Sequence, residues 1–179
     1  MNPHTLSVSG EPETESWITF GGLNEKWSPT DSQWVSMRIA GSFHWQAKFN
    51  ALEYKGIRMV PEVPLLLTDT GTSITYLLPH DFDRLMPHLC PHCAYDPDVG
   101  VHALNDCFSE EIAQFEPIWF QLESHLFEMP VQSYLYVAQK GFDNPKCYVK
   151  IARKTGGDFG TLGVNFLENY VQYYSVDGN

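Results

Sequence analysis

Positive charge is scarce in this sequence: 11 Lys and Arg stand against 22 Asp and Glu in 179 residues, a formal net charge of −11. A nucleic-acid partner needs a surplus of cations on the contact surface, so that class is excluded. Long apolar runs are missing too. The longest, Val63 to Leu67, is interrupted by Pro64 and stops at Thr68, well short of the ~18 residues that a membrane-spanning helix needs. The start, Met1-Asn2-Pro3-His4-Thr5, has neither the basic residues nor the apolar stretch of a signal peptide, so the chain reads as intracellular or as a piece of something longer. Also absent are a Gly-x-Ser-x-Gly elbow, a phosphate-cradling glycine loop, internal repeats and Asn-x-Ser/Thr sites.

Apolar material is plentiful, with 43% hydrophobic and 14% aromatic residues. That suffices for one domain around a buried core. The patterning is mainly that of strands. After a polar first sixteen residues, read as a strand end and a turn, Val35, Met37 and Ile39 alternate with Ser36 and Arg38. Phe43, Trp45, Ala47, Phe49 and Ala51 then alternate with polar residues, the clearest half-buried strand in the chain. Glu53-Tyr54-Lys55-Gly56 is a hairpin turn, and Leu65 to Thr68 is a short strand expected to be buried on both faces. One helix begins at Pro79, shows Phe82, Leu85 and Met86 on one face, and should stop at Pro87. Residues 88–110 read as an irregular loop insertion. Further strands are expected at Ile118 to Leu122, Leu126 to Met129 and Tyr148 to Ala152, with a strand or short helix at Tyr134 to Val137. Asn165 to Tyr170 reads as a short helix and Val171 to Val176 as the last strand. The architecture is one mainly β domain, residues 1–179, with one or two short helices.

The chemistry is concentrated in Leu65-Leu66-Leu67-Thr68-Asp69-Thr70-Gly71-Thr72-Ser73. An apolar strand running into Asp69 and a glycine-containing turn presents a carboxylate where backbone N–H groups and hydroxyls can hold it ionised. With its flanks, this stretch resembles the active-site motif of pepsin-like aspartic proteases. Trp17-Ile18-Thr19-Phe20-Gly21-Gly22, the stretch from Trp34 to Leu52, Phe115 to Tyr134 and Leu162-Gly163-Val164-Asn165-Phe166 to Tyr170 are similar, in order and spacing, to the C-terminal lobe of that family. The resemblance implies a single lobe of the pepsin-like fold, a double-psi-type β-barrel. It makes Asp69 one half of a catalytic pair, has Thr70 tie two lobes together, has Gly71 and Thr72 orient the carboxylate, and puts Leu67, Ser73 and Thr161 along substrate pockets. It implies a peptide or protein substrate, no cofactor or metal, and a lysosomal, phagosomal or secreted setting.

Three features depart from the family pattern. Val164 stands where an Asp usually follows Leu-Gly, the chain ends at Asp177-Gly178-Asn179 before the lobe's final strand residues, and there is a single Asp-Thr-Gly-Thr-Ser element. The last matters most, because the reaction uses two carboxylates ~3 Å apart that share one proton, one activating water and the other polarising the scissile carbonyl. Asp69 alone lacks that division of labour. Three readings follow: half of an endopeptidase whose N-terminal lobe lies elsewhere, a lobe kept as a structural or binding subunit of a larger assembly, or a homodimer that pairs two copies of Asp69.

Four cysteines allow two disulfides in an oxidising compartment, or a metal site or free thiols in a reducing one. By resemblance, Cys107 and Cys147 pair. Cys90-Pro91-His92-Cys93, with His88 and His102 nearby, reads as a local disulfide ahead of half a zinc site, because no second Cys-x-x-Cys exists. The seven histidines otherwise read as surface or loop residues.

Overall fold

The computed structural model describes residues 4–7, 17–22, 34–41, 44–105, 107–140 and 144–175. Strand β1 (His4–Ser7) lies antiparallel to β2 (Trp17–Phe20); the turn expected before residue 16 lies outside the described residues. Residues 34–41 form no strand, although Val35 and Met37 are half-buried in alternation with exposed neighbours. The Arg38 N–H donates to Glu123 Oε1 at 3.0 Å and the Ala40 N–H to the Gln46 carbonyl at 2.8 Å, so this backbone turns away from any ladder. Alternation identified a face, but among the described residues no neighbouring strand pairs with it.

Strand β3 (Gln46–Tyr54) begins later than the alternation suggests, and Phe43 is outside the described residues. A register shift between Phe49 and Ala51 lets Ala51 and Leu52 both be buried, which strict alternation forbids. Lys55 (φ 48°) and Gly56 (φ 74°) then turn the chain into β4 (Ile57–Met59). Positive φ at both central residues matches the right-handed twist of a hairpin. In β5 (Leu65–Thr68) only Leu66 is fully buried, so one face of this strand is better covered than the other. After β6 (Thr75–Leu77) comes α1 (Pro79–Leu89), which buries Phe82, Leu85, Met86 and Leu89. It runs past Pro87. That ring sits in the last turn, where its missing N–H forfeits one bond, while the Cys90 N–H still closes on the Met86 carbonyl at 2.9 Å.

Residues 88–110 are more ordered than the sequence suggests. They contain β7 (Ala94–Asp96), β8 (Val101–Leu104) and the start of α2 (Ser109–Ile112). A tight turn joins the two strands, with Gly100 (φ 80°) donating to the Asp96 carbonyl at 2.7 Å. Next come β9 (Ile118–Leu122), β10 (His125–Met129), α3 (Val131–Tyr134), β11 (Leu135–Lys140), β12 (Asn144–Val149), β13 (Ile151–Arg153), β14 (Gly160–Leu162), α4 (Val164–Leu167) and β15 (Val171–Tyr174). The single strand expected across Tyr148 to Ala152 is two strands in different sheets, broken at Lys150. Its carbonyl accepts from Thr75 N–H at 3.3 Å and from Asn165 Nδ2 at 2.8 Å. Four helical segments occur among the described residues, more than the one or two expected.

The strands make three open sheets: β15-β1-β2; β10-β9-β3-β5-β14-β6-β13 with β4 on β3; and β11-β12-β8-β7. None closes into the barrel that the resemblance implies. Between the sheets lies a core in which Phe120 packs against Phe49 and, edge to face, Phe166. Cys107 and Cys147 form a disulfide inside this core. Closing a loop between residues 40 apart in sequence stabilises the fold by about 4 kcal/mol in the chain-entropy account. No helix among the described residues is long and apolar enough to cross a membrane.

The four-stranded sheet carries an ion pair from β12 to β7, Lys146 to Asp96, bridging over β8. The Lys146 hydrogen bond holds the Asp96 carboxyl below its ordinary 3.8 and Asp96 holds the Lys146 ammonium above its ordinary 10.5. A depressed carboxyl contributes stability that is complete above pH 3.8 and fades as pH falls through the folded-state value. Urea unfolding of wild type and Lys146→Met between pH 6 and pH 2 should therefore give a gap that narrows below pH 3.8.

Candidate active site

Asp69 sits directly after β5, at the point where that strand runs parallel to β14 with Thr68 opposite Leu162. Its N–H continues the ladder to the Leu162 carbonyl at 3.0 Å, which fixes the backbone on which the carboxylate stands. The chain then turns sharply, and the turn itself supplies donors. The Gly71 N–H donates to Asp69 Oδ1 at 2.9 Å and the Thr72 hydroxyl to Oδ2 at 2.5 Å, while the Thr72 N–H reaches the Asp69 carbonyl at 3.3 Å. Each carboxylate oxygen thus has one internal donor and keeps acceptor capacity for water or a ligand. Asp69 is half-buried, and Thr70 and Gly71 are exposed at the turn.

Gly163 closes the arrangement from below. A side chain there would lie 2.3 Å from the Ile74 carbonyl oxygen and 2.6 Å from that of Thr72, so the two backbone segments approach as only glycine allows. The next residue uses this proximity: the Val164 N–H donates to the Thr72 carbonyl at 2.7 Å. Valine in place of the family's usual aspartate leaves this backbone contact in place. Beneath it, the buried Asn165 accepts from the Thr75 hydroxyl at 3.0 Å and donates to the Lys150 carbonyl, tying β6, β13 and α4 together.

The remaining residues singled out from the sequence have distinct surroundings. Leu67 is half-buried and lies in register with Gln46 and Thr161. Ser73 is exposed, and its carbonyl accepts from the Asn165 N–H at 3.4 Å. Thr161 is only 4% exposed. Its hydroxyl accepts from Lys154 Nζ at 3.1 Å.

Lys154 gave no sequence signal. Its ammonium donates to the Phe159 carbonyl at 2.8 Å and to Thr161, and lies 4.5 Å from the centre of the Phe159 ring. Burial pulls its pKa below the usual lysine value, and the charge of Asp69 pushes it back up. Tyr174 was equally invisible. Its hydroxyl lies 3.1 Å from Thr68 Oγ1, whose own proton goes to the Trp45 carbonyl at 3.0 Å, and its ring packs on Trp45 at 4.8 Å. Burial raises the Tyr174 pKa, so the hydroxyl stays protonated as a donor. Only the fold brings these residues, about a hundred positions away in the case of Tyr174, to the strand that carries Asp69. Among the described residues no group of three or more His, Cys, Asp or Glu is placed to hold a metal.

The eukaryotic aspartyl protease family model matches residues 4–179. The chain belongs to that family. It is 20% identical to pepsin A of Gallus gallus over 183 aligned residues, which take in 98% of this chain and 44% of that protein. It is 24% identical to secreted aspartic protease 3 of Candida albicans over 182 residues, 99% of this chain and 43% of that protein. The aspartic proteinase of Irpex lacteus superposes with a TM-score of 0.74 at 15% identity, covering 97% of this chain and 53% of that one. The chain therefore spans about half the length of the relatives it matches, and the fold is that of one pepsin-like lobe.

Gly163→Ala tests the close approach under Asp69. The added methyl meets two carbonyl oxygens, so urea denaturation should show a loss of about 1–3 kcal/mol, whereas Gly156→Ala, where the added methyl meets nothing within 4 Å, should change stability far less.

Proposed function

We propose that this chain supplies one half of an aspartic endopeptidase, with Asp69 as one carboxylate of the pair and the second borne by another lobe. The observation that carries this reading is the intact cradle of Asp69, in which Gly71 and Thr72 each donate to one carboxylate oxygen. Two such carboxylates, brought to ~3 Å, share a proton, so one draws a proton from water while the other donates to the scissile carbonyl. Thr70 then faces the second lobe, and Leu67 and Ser73 border the bound peptide.

The three-stranded sheet supports a partner on its side of the molecule. β2 is its edge strand among the described residues, and Ile18 is 61% exposed and Phe20 70% exposed. Exposed apolar side chains of this kind call for cover. Two disulfides fit an oxidising compartment, and one relative is by name a secreted protease. Both support a lysosomal, phagosomal or secreted setting for this chain.

The alternative is a lobe retained as a structural or binding subunit, and what favours it is Val164, where the family usually carries an aspartate after Leu-Gly. Purifying the native particle or parent polypeptide and assaying peptide cleavage across pH 3–7 separates the two. Cleavage under acidic conditions that falls on the order of 10³-fold or more in Asp69→Asn, with the particle still assembled, is the expected result. An assembled particle with no acid cleavage, or with cleavage indifferent to Asp69→Asn, assigns the lobe to the subunit role.

A further inference from the structure

The two disulfides differ sharply in their surroundings. Cys107 and Cys147 are 1% and 0% exposed within the main core. Cys90 and Cys93 instead lie at the end of α1, on the wall of a surface groove of about 350 Å³ between that helix and the β7–β8 hairpin. Its other walls include Phe82, Met86, Pro91 and His102. The volume is within the range of small-molecule sites, and the lining is mostly apolar with one imidazole, His102, and one carboxylate, Asp83. Both cysteines line the groove, but Cys90 is 6% exposed and Cys93 half-buried, so Cys93 is the more accessible residue of the pair.

We propose that Cys90–Cys93 is a thiol-exchange site, at which a low-molecular-weight thiol enters this groove and is captured on Cys93 as a mixed disulfide. The incoming thiolate attacks Cys93 Sγ, forming one S–S bond as the Cys90–Cys93 bond breaks. The electron pair leaves on Cys90 Sγ, which takes up the proton that the incoming thiol lost. The incoming sulfur is oxidised and Cys90 is reduced, so no further oxidant or reductant is needed. His102, in the same lining, is a candidate to accept the thiol's proton: burial lowers its pKa, against the opposing charge of Asp83, and so favours the neutral, accepting form.

The backbone favours a reversible event. The Cys93 N–H donates to the Cys90 carbonyl at 3.2 Å and the Cys90 N–H to Met86, so the turn keeps both sulfurs together after the bond opens. Cys90 can then expel the bound thiol by attacking Cys93. The short loop also gives this bond much less chain-entropy stabilisation than the 40-residue separation gives Cys107–Cys147. The site is independent of Asp69 and of any second lobe.

The test exposes the folded full chain to reduced glutathione at mildly alkaline pH, then acid-quenches, alkylates and maps the peptides by mass. Glutathione on Cys93, alkylation of Cys90 and an intact Cys107–Cys147 bond are expected. Glutathione on Cys90, opening of Cys107–Cys147 at an equal rate, or no opening in the folded protein overturns the proposal. Single variants give a second reading: the free Cys93 of Cys90→Ser should react with an aromatic disulfide reagent at least about tenfold faster than the free Cys90 of Cys93→Ser, and equal rates would count against the assignment of the attacked sulfur.

Discussion

The close approach of Gly163 to the carbonyls of Thr72 and Ile74 is the contact on which the rest of this lobe depends. Two chain segments ninety residues apart cross there without a side chain between them, and everything near Asp69 is referred to that crossing. β14 arrives parallel to β5 and delivers the Leu162 carbonyl to the Asp69 N–H. α4 departs from the same point and delivers Asn165 to Thr75 and Lys150. The carboxylate is therefore oriented by backbone that cannot shift independently, and the local donors, Gly71 and Thr72, complete a position already set by longer-range pairing. Such preorganisation has to exist before any second lobe adds its own carboxylate.

Around this crossing the sheets divide the work. The eight-stranded sheet holds Asp69, Leu67 and Thr161 on adjacent central strands, where both neighbours restrain them. Within the region of the four-stranded sheet the buried Cys107–Cys147 bond ties β12 to the segment that follows β8, while Phe120, Phe49 and Phe166 pack β9, β3 and α4 against one another. α1 seals one side with its apolar face and is linked at its exposed surface to β13 through the two-pronged Arg153–Asp83 pair. That pair is solvent-exposed at both ends and contributes little stability beyond its geometry.

Much of this was legible in the sequence. The strand β5 running into Asp69, the hairpin at Lys55-Gly56, the buried face of α1 and the alternation of β9 each follow from local pattern, because each depends on a few adjacent residues. What the pattern could not supply is partnership. Val35 and Met37 alternate correctly but find no strand to pair with among the described residues, and Pro87 does not end α1 because its missing bond falls in a turn that Cys90 closes. The small residues Ala94 and Ala103 gave β7 and β8 too weak a signal. Asp69, Gly71 and Thr72 are neighbours in sequence and were found together, whereas Lys154, Asn165 and Tyr174 reach the same region only through the fold.

The hydroxyl chain from Tyr174 through Thr68 to Trp45 joins the three-stranded sheet to the strand that carries Asp69. Thr68 immediately precedes the carboxylate-bearing residue, so a single side-chain hydrogen bond and one residue of backbone separate the outlying sheet from Asp69. β15 and β5 thus share their fixing contacts, and neither strand can be displaced without stretching those that hold the other.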